Sequence, residues 1–181
     1  VFTTYYMPYI GKSLSDKELT EFNECWSKPL EYLSINDKKR VFVHKDLHCG
    51  NLFWLPERTG VRNLGIVDFQ SAKRGSSVYD ITSLLYDCRL PLPQDLRRKL
   101  LNKYISNTGW DAKKFRNICT IYIAQRNIKI LGNFTHIYQQ KENATYLKFL
   151  SNVWKFLHES LDNPILKEVQ AWFKKNNIRP I

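Results

Sequence analysis

The most constraining stretch of this chain covers residues 41–69, where β-forming runs and polar turns succeed each other too closely for a helix. Val41-Phe42-Val43 reads as an apolar strand, because β-branched and aromatic side chains pack well on a pleated surface. It delivers His44-Lys45-Asp46, and Asn51 follows five residues after that aspartate. Residues 51–56 and 61–69 flank Glu57-Arg58-Thr59-Gly60, a polar turn ending in glycine. The two flanks are predicted to pair as a β-hairpin that returns Asp68 beside Asn51. Strand alternation then puts Asn51 and Phe53 on one face.

A loop aspartate, an asparagine five residues on and a second aspartate at a strand end match the needs of phosphoryl transfer. That reaction asks for a carboxylate near the attacking hydroxyl and a cation clamped across phosphate oxygens. Asp46 is placed to accept the hydroxyl proton. Asn51 offers a neutral oxygen and Asp68 an anionic one, which suits Mg²⁺, a hard cation that takes few protein ligands. Phe53 is a candidate apolar floor under an adenine ring. His44 and His48, four apart with Cys49 adjacent, also invite a zinc reading, but histidines at that spacing share a face only on a helix. The preceding β-branched run and Gly50 argue for a loop instead. An H-x-D-x-x-x-x-N pattern alone is weak; joined to a hairpin that ends in Asp68-Phe69 it is specific.

The segments HKDLHCGNLFWL, LGIVDFQSAKRG and VYDITSLLYD resemble the motifs of the aminoglycoside phosphotransferase family, a branch of the protein-kinase-like fold. AQRNIKILGNF, YLKFLSNVWKFL and NPILKEVQAWF are similar to a bacterial subgroup that includes anomeric N-acetylmuramate and N-acetylglucosamine kinases. The resemblance runs from about Tyr5 almost to the C-terminus. It implies ATP and Mg²⁺ as cofactors and a small hydroxyl-bearing acceptor. Asp46 would be the base, Asn51 and Asp68 the metal ligands, and Asp80 and His44 supports of the loop. Two positions depart from the pattern: Gln70 stands where protein kinases have the glycine of D-F-G, and Lys45 where many relatives have arginine or glycine. The first is usual in this branch and argues against a protein substrate.

A full kinase-like fold also needs a phosphate-covering loop, a strand lysine and a helix glutamate in an N-terminal lobe. The residues before Tyr5 do not supply them. The expected fold class is therefore α+β, mainly α-helical: the C-terminal lobe of a protein-kinase-like fold with a small catalytic β-hairpin. Its catalytic loop and metal site would span 41–70 and a helical substrate subdomain 76–176, with the N-terminal nucleotide-binding lobe absent and the isolated lobe impaired. The 181 residues suit one domain.

Composition narrows the remaining classes. With 43% hydrophobic and 25% charged residues the chain reads as globular, and no apolar run approaches the roughly 18 residues of a membrane helix. Cys25, Cys49, Cys88 and Cys119 are scattered without a C-x-x-C pair, as expected of reduced thiols in a cytoplasmic protein. The formal net charge of +11 raises nucleic acid as a partner. Yet the cations are spread as short pairs such as Arg97-Arg98 and Lys174-Lys175, with no recognition motif, so neither nucleic acid nor membrane is expected.

Ser15-Asp16-Lys17-Glu18 has the form of a capping box and predicts a helix over 16–34. Asp80 can cap a second helix over 81–88, compatibly with its support role, and Leu90-Pro91-Leu92-Pro93 breaks it. Further helices are predicted over 94–106, 111–140, 145–161 and 164–176, the last capped by Asn163. Trp154, Phe156, Leu157, Val169, Trp172 and Phe173 read as core.

The helix over 111–140 is apolar on most of its circumference, leaving one polar stripe of Tyr122, Arg126, Lys129, Asn133 and His136, with Gln125 alongside. The stripe either faces an acceptor cleft, where Arg126 or Lys129 meets a carboxylate, or pairs with Glu142, Glu159 or Glu168. The sequence as a whole predicts an ATP-dependent small-molecule kinase, with a cell-wall amino sugar favoured as acceptor. An aminoglycoside or a choline- or homoserine-type acceptor is the alternative within that class; a catalytically silent lobe serving as a binding module is the alternative outside it.

Overall fold

The computed structural model of the chain describes residues 1–180. Phe2–Tyr6, in wide π-helical geometry, continues into α1 (Met7–Tyr9). α2 (Asp16–Glu24) begins at the expected capping box: the Ser15 N–H donates to Glu18 Oε2 at 2.7 Å, and the Glu18 N–H donates to Ser15 Oγ at 3.3 Å. The single helix expected over 16–34 is broken at Cys25-Trp26, and α3 (Ser27–Asn36) starts afresh. Pro29 supplies the reason. Inside a continuous helix its ring would meet the Cys25 carbonyl and remove a hydrogen bond, whereas a first turn tolerates it.

Four short strands follow. β1 (Arg40–Val43) pairs antiparallel with β4 (Lys73–Ser76), from Arg40 opposite Ser76 to Val43 opposite Lys73. Inserted between them, β2 (Leu52–Trp54) and β3 (Leu64–Ile66) form the expected hairpin, with Leu52 opposite Ile66. Its link contains Gly60 at φ 60°, a conformation glycine adopts without steric cost. The hairpin is apolar yet uncovered: Phe53, Trp54, Leu64, Ile66, Val67 and Phe69 are all exposed.

The helices then stack. α4 (Tyr79–Leu85) stops three residues short of the expected end, and α5 (Gln94–Thr108) ends at Gly109 in the left-handed conformation. α6 (Ala112–Lys141) is capped by the Asp111 carboxylate, which accepts from Lys114 N at 2.7 Å. Its 30 residues are enclosed by two apolar clusters. Ile121, Ile128, Leu131 and Phe134 pack with Phe2, Tyr6 and α7 (Leu150–Leu161), and with Trp172 and Phe173 of α8 (Lys167–Lys175). Phe115, Ile118 and Ile123 pack with Val78, Leu85, Leu101, Ile105 and Phe156. The residues expected in the core, Trp154 to Phe173, are all buried. Asn163 accepts from Ile165 N ahead of α8. All four cysteines are free, and no helix among the described residues is long and apolar enough to cross a membrane.

One glycine sets the spacing between α6 and the N-terminal segment. A Cβ on Gly132 would lie 2.6 Å from the Phe2 nitrogen and the Val1 carbonyl carbon, which are backbone atoms that cannot rotate away. Gly132→Ala is expected to destabilise the fold by about 1–3 kcal/mol through overpacking, despite a helix-propensity gain of about 1 kcal/mol. Urea unfolding checks this; an unchanged or higher midpoint would show that the segment gives way freely.

Candidate active site

The loop after β1 is held by α4. His44 is buried, and its N–H donates to Asp80 Oδ2 at 2.7 Å while the Lys45 N–H donates to Asp80 Oδ1 at 3.1 Å. Asp80 therefore lies in the first turn of α4 and spends its carboxylate on the loop. The N-cap position falls to Val78, with no side-chain cap, so the capping expectation for Asp80 is not what the helix uses. Lys45 adopts φ 74°, the left-handed region that an L side chain enters at a cost of roughly 1–2 kcal/mol. That reversal turns Asp46 outward, where its side chain is 55% exposed.

Three contacts then link Asp46 to Asn51 and to the strand carrying Asp68. Asn51 Nδ2 donates to the Asp46 carbonyl at 3.0 Å, which leaves Asn51 Oδ1 free to bind a cation. The Asn51 carbonyl accepts the Val67 N–H at 3.1 Å, continuing the β2–β3 ladder to the residue before Asp68. His44 Nε2 donates to the Val67 carbonyl at 2.8 Å, bracing the same point from beneath. Asp68 is exposed at φ 68°, another left-handed residue, with Gln70 Nε2 donating to its Oδ1 at 3.1 Å. Its second oxygen remains open. Asn51 and Asp68 thus offer one amide and one carboxylate oxygen, a set that fits Mg²⁺ with its remaining positions given to water and phosphate. Among the described residues no cluster of three His, Cys, Asp or Glu could hold a metal.

His48 enters the sequence reading only as half of a disfavoured zinc pair, and Asp87 does not enter it at all. His48 Nδ1 accepts the Gly50 N–H at 3.1 Å, so the neutral ring carries its proton on Nε2, 3.7 Å from Asp46 Oδ2. Burial and the nearby Arg89 cation push its pKa down, against the pull of Asp46 and Asp87. Asp87 is fully buried and accepts the Cys49 N–H at 2.9 Å. Its only sequence signal is a second aspartate seven residues after Asp80, just beyond the end of α4. Phe53, opposite Gly65 and 52% exposed, has an open ring beyond Asn51.

The polar stripe of α6 is dispersed. Arg126, 9% exposed, donates to the Ser83 carbonyl at 3.3 Å, and its charge acts on Tyr79 and His48 nearby. Tyr122 instead donates to Asp37 Oδ2 at 2.6 Å, and His136 stacks on Tyr5 with centroids 4.0 Å apart. Lys129 and Gln125 are exposed and line a separate cavity with Phe2, Phe22, Trp26 and Leu30. Lys129 is therefore not brought together with Arg126, and Asn133 is half-buried. Among the described residues the alternative pairing is absent as well: Glu159 holds Arg97, Glu168 holds Lys28, and Glu142 pairs with none of the stripe.

The profile of the phosphotransferase enzyme family matches residues 3–115, the part containing the loop, the hairpin, Asp80 and Asp87. An N-acetylmuramate/N-acetylglucosamine kinase of Caulobacter vibrioides is 30% identical over 158 residues, covering 87% of this chain and 43% of that protein. Proteins with the same description from Pseudomonas aeruginosa and Pseudomonas putida are 26% and 24% identical, over 87% and 83% of this chain and 46% of each relative. The chain spans less than half the length of these relatives.

Asp80→Asn replaces two acceptor oxygens by one and leaves one loop N–H without its partner. The expected loss of stability is about 1–3 kcal/mol. Hydrogen exchange at His44 and Lys45 should accelerate more than in α6 and α7; uniform acceleration would mean that Asp80 serves the whole fold.

Proposed function

The chain belongs to the phosphotransferase enzyme family, and from that premise we propose that it is the catalytic and acceptor-binding lobe of an ATP-dependent small-molecule kinase, with an amino sugar as acceptor. A nucleotide-covering lobe would come from residues outside it. The observation that carries this reading is Asn51, whose amide nitrogen is spent on the Asp46 carbonyl while its oxygen stays free next to the strand end bearing Asp68. Asp46 orients the acceptor hydroxyl and takes its proton on a carboxylate oxygen. Asn51 Oδ1 and Asp68 would hold Mg²⁺, and Phe53 would offer an apolar face to a purine ring. Bound there, Mg·ATP would supply the phosphoryl group and the cationic charge that offsets it.

The amino-sugar reading is supported by the descriptions of the three relatives and by Arg126, a cation close enough to the loop for its charge to act on His48. A guanidinium there suits an acceptor with a carboxylate and disfavours polycationic or quaternary-ammonium acceptors. Lys129, which lines a separate cavity, is left out of this assignment, and Asn133 remains a neighbour of Arg126 two turns along the same helix.

Asp46→Asn, in the protein containing this chain, should cut turnover by about 10²- to 10⁴-fold with nucleotide affinity nearly unchanged, because it removes a base and no metal ligand. Asp68→Ala should instead weaken Mg·ATP binding, which calorimetry reads directly. Near wild-type kcat in the first or unaltered affinity in the second would reverse the assignment. For the acceptor, Arg126→Ala should raise KM for N-acetylmuramate about tenfold or more over its effect on N-acetylglucosamine, since a charge-assisted hydrogen bond is worth about 1.5–3 kcal/mol. Equal losses would remove Arg126 from acid recognition, and activity confined to kanamycin, choline or homoserine would overturn the amino-sugar acceptor.

A further inference from the structure

The loop carrying Asp46 and Asn51 is gripped at its start by Asp80, and a second carboxylate grips its end. Asp87 follows α4 by two residues and is 1% exposed. Its Oδ2 accepts the Cys49 N–H at 2.9 Å, while Oδ1 accepts the Arg89 N–H at 3.0 Å and lies 3.4 Å from the Arg89 guanidinium. Burial alone would raise its pKa, but donation from the Cys49 thiol and from the Arg89 and Cys49 amides outweighs this and holds it below the ordinary carboxylate range. The segment is fixed from behind as well, since Asn152 Nδ2 of α7 donates to the Cys88 carbonyl at 2.9 Å.

What Asp87 holds is the 3₁₀ turn Cys49–Asn51, which carries the Asn51 side chain and follows His48. No strand pair or apolar cluster runs through that contact. We propose that Asp87 is a positioning residue: with Asp80 it ties both ends of the loop to the two ends of one short helix, so that Asp46 and Asn51 keep a set separation. An asparagine cannot substitute, because both oxygens of Asp87 accept from backbone N–H groups and an amide has one acceptor oxygen. The proposal rests on the kinase reading for its catalytic consequence but not for its geometry.

The test uses Asp87→Asn, with Arg89→Ala as a comparison that deletes the longer charge contact and keeps both backbone bonds. Hydrogen exchange at Cys49, Gly50 and Asn51 should rise at least tenfold in Asp87→Asn, with amides of α6 and α7 unmoved and Arg89→Ala close to wild type. In the protein containing this chain, kcat should fall tenfold or more while KM for the acceptor stays within about twofold. Should Asp87→Asn fail to fold, Asn152→Leu slackens the same segment from behind and should raise loop exchange by a smaller factor. Unchanged loop exchange, a parallel rise in the core, or kcat within twofold of wild type would each overturn the positioning role. A wild-type protein without ATP-dependent phosphorylation would count against the kinase reading alone, because the exchange measurement stands without it.

Discussion

A 30-residue helix that is apolar on most sides cannot lie at a surface, and the rest of this fold follows from covering α6. The N-terminal segment, α7 and α8 close over its second half, and α4 and α5 over its first. Each fully buried Leu, Ile or Phe contributes about 1.5–3 kcal/mol against the entropy of ordering it, so the two clusters form the stable body against which the strands are laid. Gly132 is the cost of that closeness, a residue without a side chain where two backbones meet.

Polar groups buried within this apolar body are mostly used as joints. Tyr122 fastens α6 to Asp37, which also accepts from Ser76 Oγ at 3.0 Å and so ties the α3–β1 link to the end of β4. Arg97 joins α5 to α7: its Nη2 donates to Glu159 at 2.8 Å while its guanidinium lies 4.6 Å from the Tyr86 ring centre and 4.7 Å from that of Phe156. Stacking between two rings compensates a cation with few hydrogen bonds. Asp80 and Asp87 are joints of the same kind, differing in that each ends on loop amides.

The loop and hairpin were legible in the sequence because their signals are local: a β-branched run, a glycine-ended turn and a fixed interval between Asp46 and Asn51. The helices with side-chain caps, at Ser15, Asp111 and Asn163, were legible for the same reason. β4 was not, since Lys73-Arg74-Gly75-Ser76 has no apolar alternation and becomes a strand only by pairing with β1. Pro29 did carry a local signal against a continuous helix, whereas the capping box at Ser15 marks only where a helix begins. The α6 stripe illustrates a different limit: a shared helix face does not mean a shared neighbour, and Tyr122, Arg126 and His136 go to three separate elements.

The β2–β3 hairpin joins only three residue pairs and has exposed side chains along both strands, far less support than the helices enjoy. Two-stranded ribbons of this size are marginal on their own, and the bonds at Val67 from Asn51 and His44 are what steady this one. Local opening of Asn51, Phe53 and Asp68 should therefore require a fraction of the free energy of global unfolding. Mild heat or denaturant would disorganise the ribbon while α6 and its partners stay folded, and inactivation would be a separate, earlier event than denaturation.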